Sequence, residues 1–108
     1  MKIHLTKQTT KYIEGLNQNN RNIVTSVLRN FNTHGINSIF YKPLINGVFE
    51  IKADTDSNWH RILGKFDKDE NPNIAVLTNA FAKKTNKTPK NEIELADSRM
   101  KTYLNNKT

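Results

Sequence analysis

The spacing of apolar residues changes near the middle of the chain. Before residue 35 they recur at helical intervals, and from residue 48 they alternate. Tyr12, Ile13 and Leu16 fall on one side of a helix that Thr6 can cap. Asn17-Gln18-Asn19-Asn20 interrupts it, because such side chains compete for backbone hydrogen bonds. Ile23, Val24, Val27, Leu28 and Phe31 then form the stripe of a second helix, stopped at Gly35. The two predict a helical hairpin over about residues 6–34, preceded by a short edge strand at residues 2–5.

After the turn Asn46-Gly47 the period becomes two. Phe49, Ile51 and Ala53 share one face of a strand, and Val48, Glu50 and Lys52 share the other. A turn near Asp54–Asn58 leads to Trp59–Phe66. There His60, Ile62, Gly64 and Phe66 oppose Trp59, Arg61, Leu63 and Lys65. Asn73–Ala82 is nearly all apolar, as a central strand would be. Short connections predict an antiparallel meander over about residues 48–82. Thr88-Pro89 then opens a C-terminal helix over about 89–105, with Ile93, Ala96, Met100 and Tyr103 or Leu104 inward. The fold class is α+β: a helical hairpin packed on a three- to four-stranded antiparallel sheet, followed by a C-terminal helix. The helices are expected on one face of the sheet, leaving the other partly open.

A chain of 108 residues fits a single domain spanning 1–108. The absence of Cys removes disulfides, thiol catalysis and cysteine metal sites. No signal-peptide pattern opens the sequence, and no apolar run reaches the roughly 18 residues of a membrane span. A cytoplasmic protein without a membrane partner is expected. Net charge is +7, and it is clustered: Lys83-Lys84-Thr85-Asn86-Lys87-Thr88-Pro89-Lys90 holds four Lys and no acid. Such clustering favours an anionic partner, RNA above all.

The alternation sends Lys52, Arg61 and Lys65 to the open face, with Lys52 and Arg61 as cross-strand neighbours. Like charges so placed repel each other, so the pair calls for an anionic ligand or for cover from Glu50. His4, His34 and His60 lack metal-ligand spacing, and no metal or other cofactor is expected. His60 alternates onto the core face and reads as a packed histidine. Trp59 reads first as a packed aromatic, with a base-stacking platform as the alternative.

Several segments in order carry a family resemblance. They are Lys42-Pro43-Leu44, Gly47-Val48-Phe49-Glu50-Ile51-Lys52, His60-Arg61-Ile62-Leu63, Phe81-Ala82-Lys83-Lys84-Thr85-Asn86-Lys87-Thr88-Pro89, Glu92-Ile93-Glu94-Leu95-Ala96 and Arg99. Together they resemble the phage-related HigB-like branch of the RelE/ParE toxin superfamily. The resemblance implies a RelE-like fold and the toxin of a type II toxin–antitoxin pair. It further implies a metal-independent, ribosome-dependent endoribonuclease that cleaves mRNA through 2′-hydroxyl attack. The implied partners are a cognate antitoxin, expected to be a small helix-turn-helix protein, together with mRNA and the ribosome.

By motif position Lys52 takes the slot of a usual Arg, Arg61 that of the strand Arg, and Lys83 and Lys84 that of a Lys pair. Lys52, with Arg61 and Lys84, is thus the expected catalytic set, with Lys52 as base. Lys65, Lys83, Lys87 and Arg99 are expected at RNA phosphates, and Glu50 and Tyr103 are the candidate general acids. Gly64-Lys65 stands where relatives carry an aromatic pair. Two alternatives stay open: a non-enzymatic basic nucleic-acid-binding protein, and a relative that inhibits a DNA topoisomerase.

Overall fold

Both N-terminal helices begin at side-chain caps. In the computed structural model, which describes residues 1–107, α1 (Lys7–Glu14) starts where Thr6 Oγ1 accepts the Thr9 amide. α2 (Gln18–His34) starts where the Asn17 side chain accepts the Asn20 amide. The polar break is therefore Gly15-Leu16-Asn17, and Asn19 and Asn20 belong to α2. Gly35 ends α2 with φ 57°, which glycine adopts without a Cβ clash.

The sheet has five strands: β1 (Lys2–Leu5), β2 (Tyr41–Pro43), β3 (Phe49–Asp54), β4 (Trp59–Asp67) and β5 (Ile74–Lys83), in the order β1-β5-β4-β3-β2. β3, β4 and β5 form the antiparallel meander, and β2 adds to β3. β1 pairs with β5 in parallel. The sheet is thus mixed, not the purely antiparallel one of three or four strands expected. The reason is local. Residues 2–5 run straight into α1, and Thr9 Oγ1 and Thr6 Oγ1 donate to the Leu77 and Thr78 carbonyls, which ties that corner along β5.

α2 buries Val24, Val27 and Phe31 on one face of the sheet, against Phe49, Ile51, Ala53, Ile62, Ala75 and Leu77. Phe31, Tyr41, Phe49 and Phe66 form an aromatic cluster within this core. α3 (Lys90–Asn105) packs on the opposite face, where Ala96 and Ile93 meet Val48, Leu63, Leu44 and Phe81. Helices therefore cover both faces, contrary to the one-sided arrangement expected. Val48 and Leu63 alternate onto the second face, and only a helix there takes them out of water.

Register shifts at Leu63/Gly64, where Leu63 faces Asn79 and Gly64 faces Leu77, so Thr78 is the extra residue of a bulge. A Cβ on Gly64 would lie 2.3 Å from the Val76 carbonyl oxygen and 2.8 Å from Phe49 Cζ. The missing side chain at this position is thus a packing requirement of β3, β4 and β5.

His60 is buried on the first face. Its Nε2 lies 2.7 Å from Asn20 Oδ1 and its Nδ1 lies 2.7 Å from the Tyr12 hydroxyl. An amide oxygen only accepts, so Nε2 carries the proton and Nδ1 accepts from Tyr12. Burial pushes the His60 pKa down, against the pull of Asp54 and with the push of Arg61.

Two stability outcomes follow from these contacts. Gly64→Ala should cost about 3 kcal/mol, from overpacking against backbone, read as a drop in urea midpoint at constant slope. The unfolded chain binds a His60 proton that the fold resists. That stability is therefore complete above the unfolded value of about 6.5 and is lost as pH falls through the lower folded value. Urea titrations from pH 8 to 5 should show this loss, and His60→Gln should flatten it.

Candidate nucleic-acid interface

Cross-strand register sorts the second face into rows. Asp54 pairs with Trp59 and Trp59 with Lys83; Lys52 pairs with Arg61 and Arg61 with Phe81; Glu50 pairs with Leu63 and Leu63 with Asn79. α3 reaches the third row, through Leu63 and through Asn79, whose side-chain amide donates to Glu92. The outermost row is open at Trp59, 47% exposed, and at the Asp54 side chain, 55%, whereas Arg61 and the Lys83 side chain are buried.

Arg61 and Lys52 are direct neighbours on one face, and the repulsion between them is offset by their diagonal neighbours. Arg61 Nη1 donates to Asp54 and, at 2.9 Å, to the His60 carbonyl. Arg61 Nε lies 2.8 Å from Glu50 Oε1 without the alignment of a hydrogen bond, so that contact is an ion pair only. Glu50 is 1% exposed and also meets Lys83 Nζ at 3.9 Å. Its Oε2 accepts from the Thr88 hydroxyl at 2.6 Å. One carboxylate thus links β3, β4, β5 and the loop before α3. Three cations (Lys52, Arg61, Lys83) against two carboxylates (Glu50, Asp54) leave this cluster with a net charge of +1.

The candidate residues separate into groups. Arg61 and Lys83 come together around Glu50, Lys52 stands beside Arg61 by register, and Lys84 and Lys87 are exposed in the loop that follows β5. Lys65 is drawn to α3, where its Nζ meets Asp97 at 2.8 Å. Arg99 donates to the Thr78 carbonyl at 3.1 Å and faces another cleft. Tyr103 stands near Asp67 at the far end of β4, about 20 Å from Arg61 at 3.4 Å per residue. Burial and then Asp67 raise its pKa.

Neither expected general acid is therefore placed for the role: Glu50 is enclosed as the counter-ion of Arg61, and Tyr103 is remote. Three neighbours of the cluster stood outside the expected set. Asp54 continues the Glu50, Lys52 alternation, and Trp59 shares the parity of Arg61, so both were readable as same-face residues. Thr88 reaches Glu50 only through the loop's path, for which the sequence has no signal.

Residues 11–101 match the family model described as Phage derived protein Gp49-like (DUF891). No curated protein matches the chain. Among the described residues no helix is long and apolar enough to cross a membrane.

Removing one partner of a buried ion pair strands the other. Glu50→Ala should therefore cost about 3–5 kcal/mol, and Thr88→Val about 1 kcal/mol, the worth of one hydrogen bond. Chemical denaturation of the two variants measures both.

Proposed function

The chain belongs to the Gp49-like family of phage-derived proteins, a RelE/toxin-like family, and on that premise we propose that it is the toxin of a type II toxin–antitoxin pair that cleaves mRNA in the HigB manner. One observation carries this reading: Lys52, Arg61 and Lys83 gather on the outer rows of the second face beside the exposed Trp59. Cations next to an open aromatic ring suit a single strand, whose phosphates take the charges while a base stacks.

RNA brings its own nucleophile. As an ammonium Lys52 only donates, so the base role passes from Lys52 to Asp54, the exposed carboxylate of the cluster. Asp54 takes the 2′-hydroxyl proton as the 2′-oxygen bonds to phosphorus. Lys52 and Arg61 balance the charge that grows on the non-bridging oxygens. The bond from phosphorus to the 5′-oxygen then breaks, and Lys52 delivers a proton to the leaving oxygen. The products are a 2′,3′-cyclic phosphate and a 5′-hydroxyl. Asp54 and Lys52 stand two residues apart on one face of β3, about 7 Å at strand spacing, which suits a base and an acid on either side of one phosphate. Lys83, Lys84 and Lys87 hold flanking phosphates. The ribosome supplies the ordered mRNA, and a cognate antitoxin covers this face when the toxin is silent.

A second reading, a nucleic-acid-binding protein without catalysis, is favoured by the engagement of Arg61 with two carboxylates. Cleavage in a translating extract separates the two. Lys52→Ala and Asp54→Asn should each lower mRNA cleavage about 100-fold or more, and Asp54→Asn should still bind RNA. Cleavage at the wild-type rate by both variants would remove the mechanism. Binding by the wild type without cleavage would establish the second reading.

A further inference from the structure

A second basic cleft lies across the sheet from Lys52. It has a volume of about 390 Å³ and opens between β1, the first turn of α1 and the C-terminal half of α3. That volume falls within the range of small-molecule sites, about 300–1,000 Å³. His4, Thr6, Lys7, Arg99, Tyr103 and Lys107 contribute to its walls, and none of its lining residues is acidic.

Its cations differ in what they can offer. Lys107 is already held by Asp67 at 2.7 Å and Glu70 at 3.6 Å. Lys7 and Arg99 make no ion pair among the described residues. Arg99 is half-buried and fixed: Nη1 donates at 3.1 Å to the carbonyl of Thr78, the extra residue of the bulge, which also accepts from Thr6 Oγ1 at 2.9 Å. A guanidinium carries five N–H donors, so this bond orients the group and leaves most of its donors for a ligand. The opposite wall is aromatic. The His4 and Tyr103 rings lie 5.1 Å apart at 46°.

We propose that this cleft binds a nucleotide, with its phosphate on Arg99 and Lys7 and its base against the His4 and Tyr103 rings. Orientable guanidinium donors fit phosphate, and Tyr and His rings fit a base. The ligand is either a free nucleotide or one nucleotide of a strand, and the site stands whether or not the Lys52 face cleaves RNA.

Amide NMR shifts of the full chain test it, with inorganic phosphate, adenosine, adenosine 5′-monophosphate and a short single-stranded oligoribonucleotide as probes. The monophosphate should shift Lys7, Arg99, His4 and Tyr103 together and bind at least tenfold more tightly than phosphate or adenosine. Oligoribonucleotide shifts at these amides without monophosphate binding would assign the site to a strand. Lys7→Ala and His4→Ala, both changes at exposed positions, should each weaken the binding about fivefold. Arg99→Gln should weaken it further, while Lys52→Ala leaves it intact. Shifts spread evenly over surface lysines, or binding unchanged in Lys7→Ala with Arg99→Gln, would overturn the site. Equal affinity for phosphate and monophosphate would overturn the base wall.

Discussion

A carboxylate with 1% of its surface exposed is tolerable only when cations and donors surround it, and Glu50 has Arg61, Lys83 and Thr88 in that role. The dependence runs both ways. Arg61 is itself buried, and its charge needs Glu50 and Asp54, while of the two carboxylates only the buried Glu50 needs Arg61 in return. Three strands and the loop before α3 meet at this one group. Arg61 and Lys83 are therefore held in place before any ligand arrives, and the strand pair Lys52–Arg61 escapes the repulsion that its register imposes. Preorganised charge of this kind is what a phosphodiester, or the extra negative charge of its transition state, can use without moving the protein.

The same face serves two purposes along its length. Toward Val48 and Leu63 it is apolar and lies under α3; toward Trp59 it is charged and more open. The opposite face is given wholly to the core, where the Phe49 ring lies against Gly64 and leaves no room for a side chain. The glycine that stands where the sequence resemblance implied an aromatic residue thus belongs to the packing of this core. The bulge at Thr78 has its own consequence, since it turns out the carbonyl that orients Arg99.

Strand alternation alone was enough to place Lys52 beside Arg61, because β3 and β4 pair without irregularity over those residues. The stripes of α2 and α3 were equally plain at Val24, Val27 and Phe31 and at Ala96 and Met100, whereas Leu16 falls beyond the end of α1. What periodicity could not carry was contact between distant segments. Nothing in Lys65 or Asp97 announces their ion pair, and nothing in Arg99 announces the Thr78 carbonyl. Val48 and Leu63, apolar on a face read as open, were the available sign that α3 would cross to that side. The exposure of Trp59 was beyond reach for a related reason: whether a strand aromatic is buried depends on how far a neighbouring helix extends.

Trp59 is the sole tryptophan of the chain, so its emission reports on the charged end of this face alone. Titrating the protein with a short single-stranded oligoribonucleotide, while following fluorescence and RNA polarisation together, tests the account most directly. Quenching of Trp59 should track binding and weaken as salt rises. RNA that binds while the Trp59 emission stays unchanged, or no binding at low salt, would contradict it.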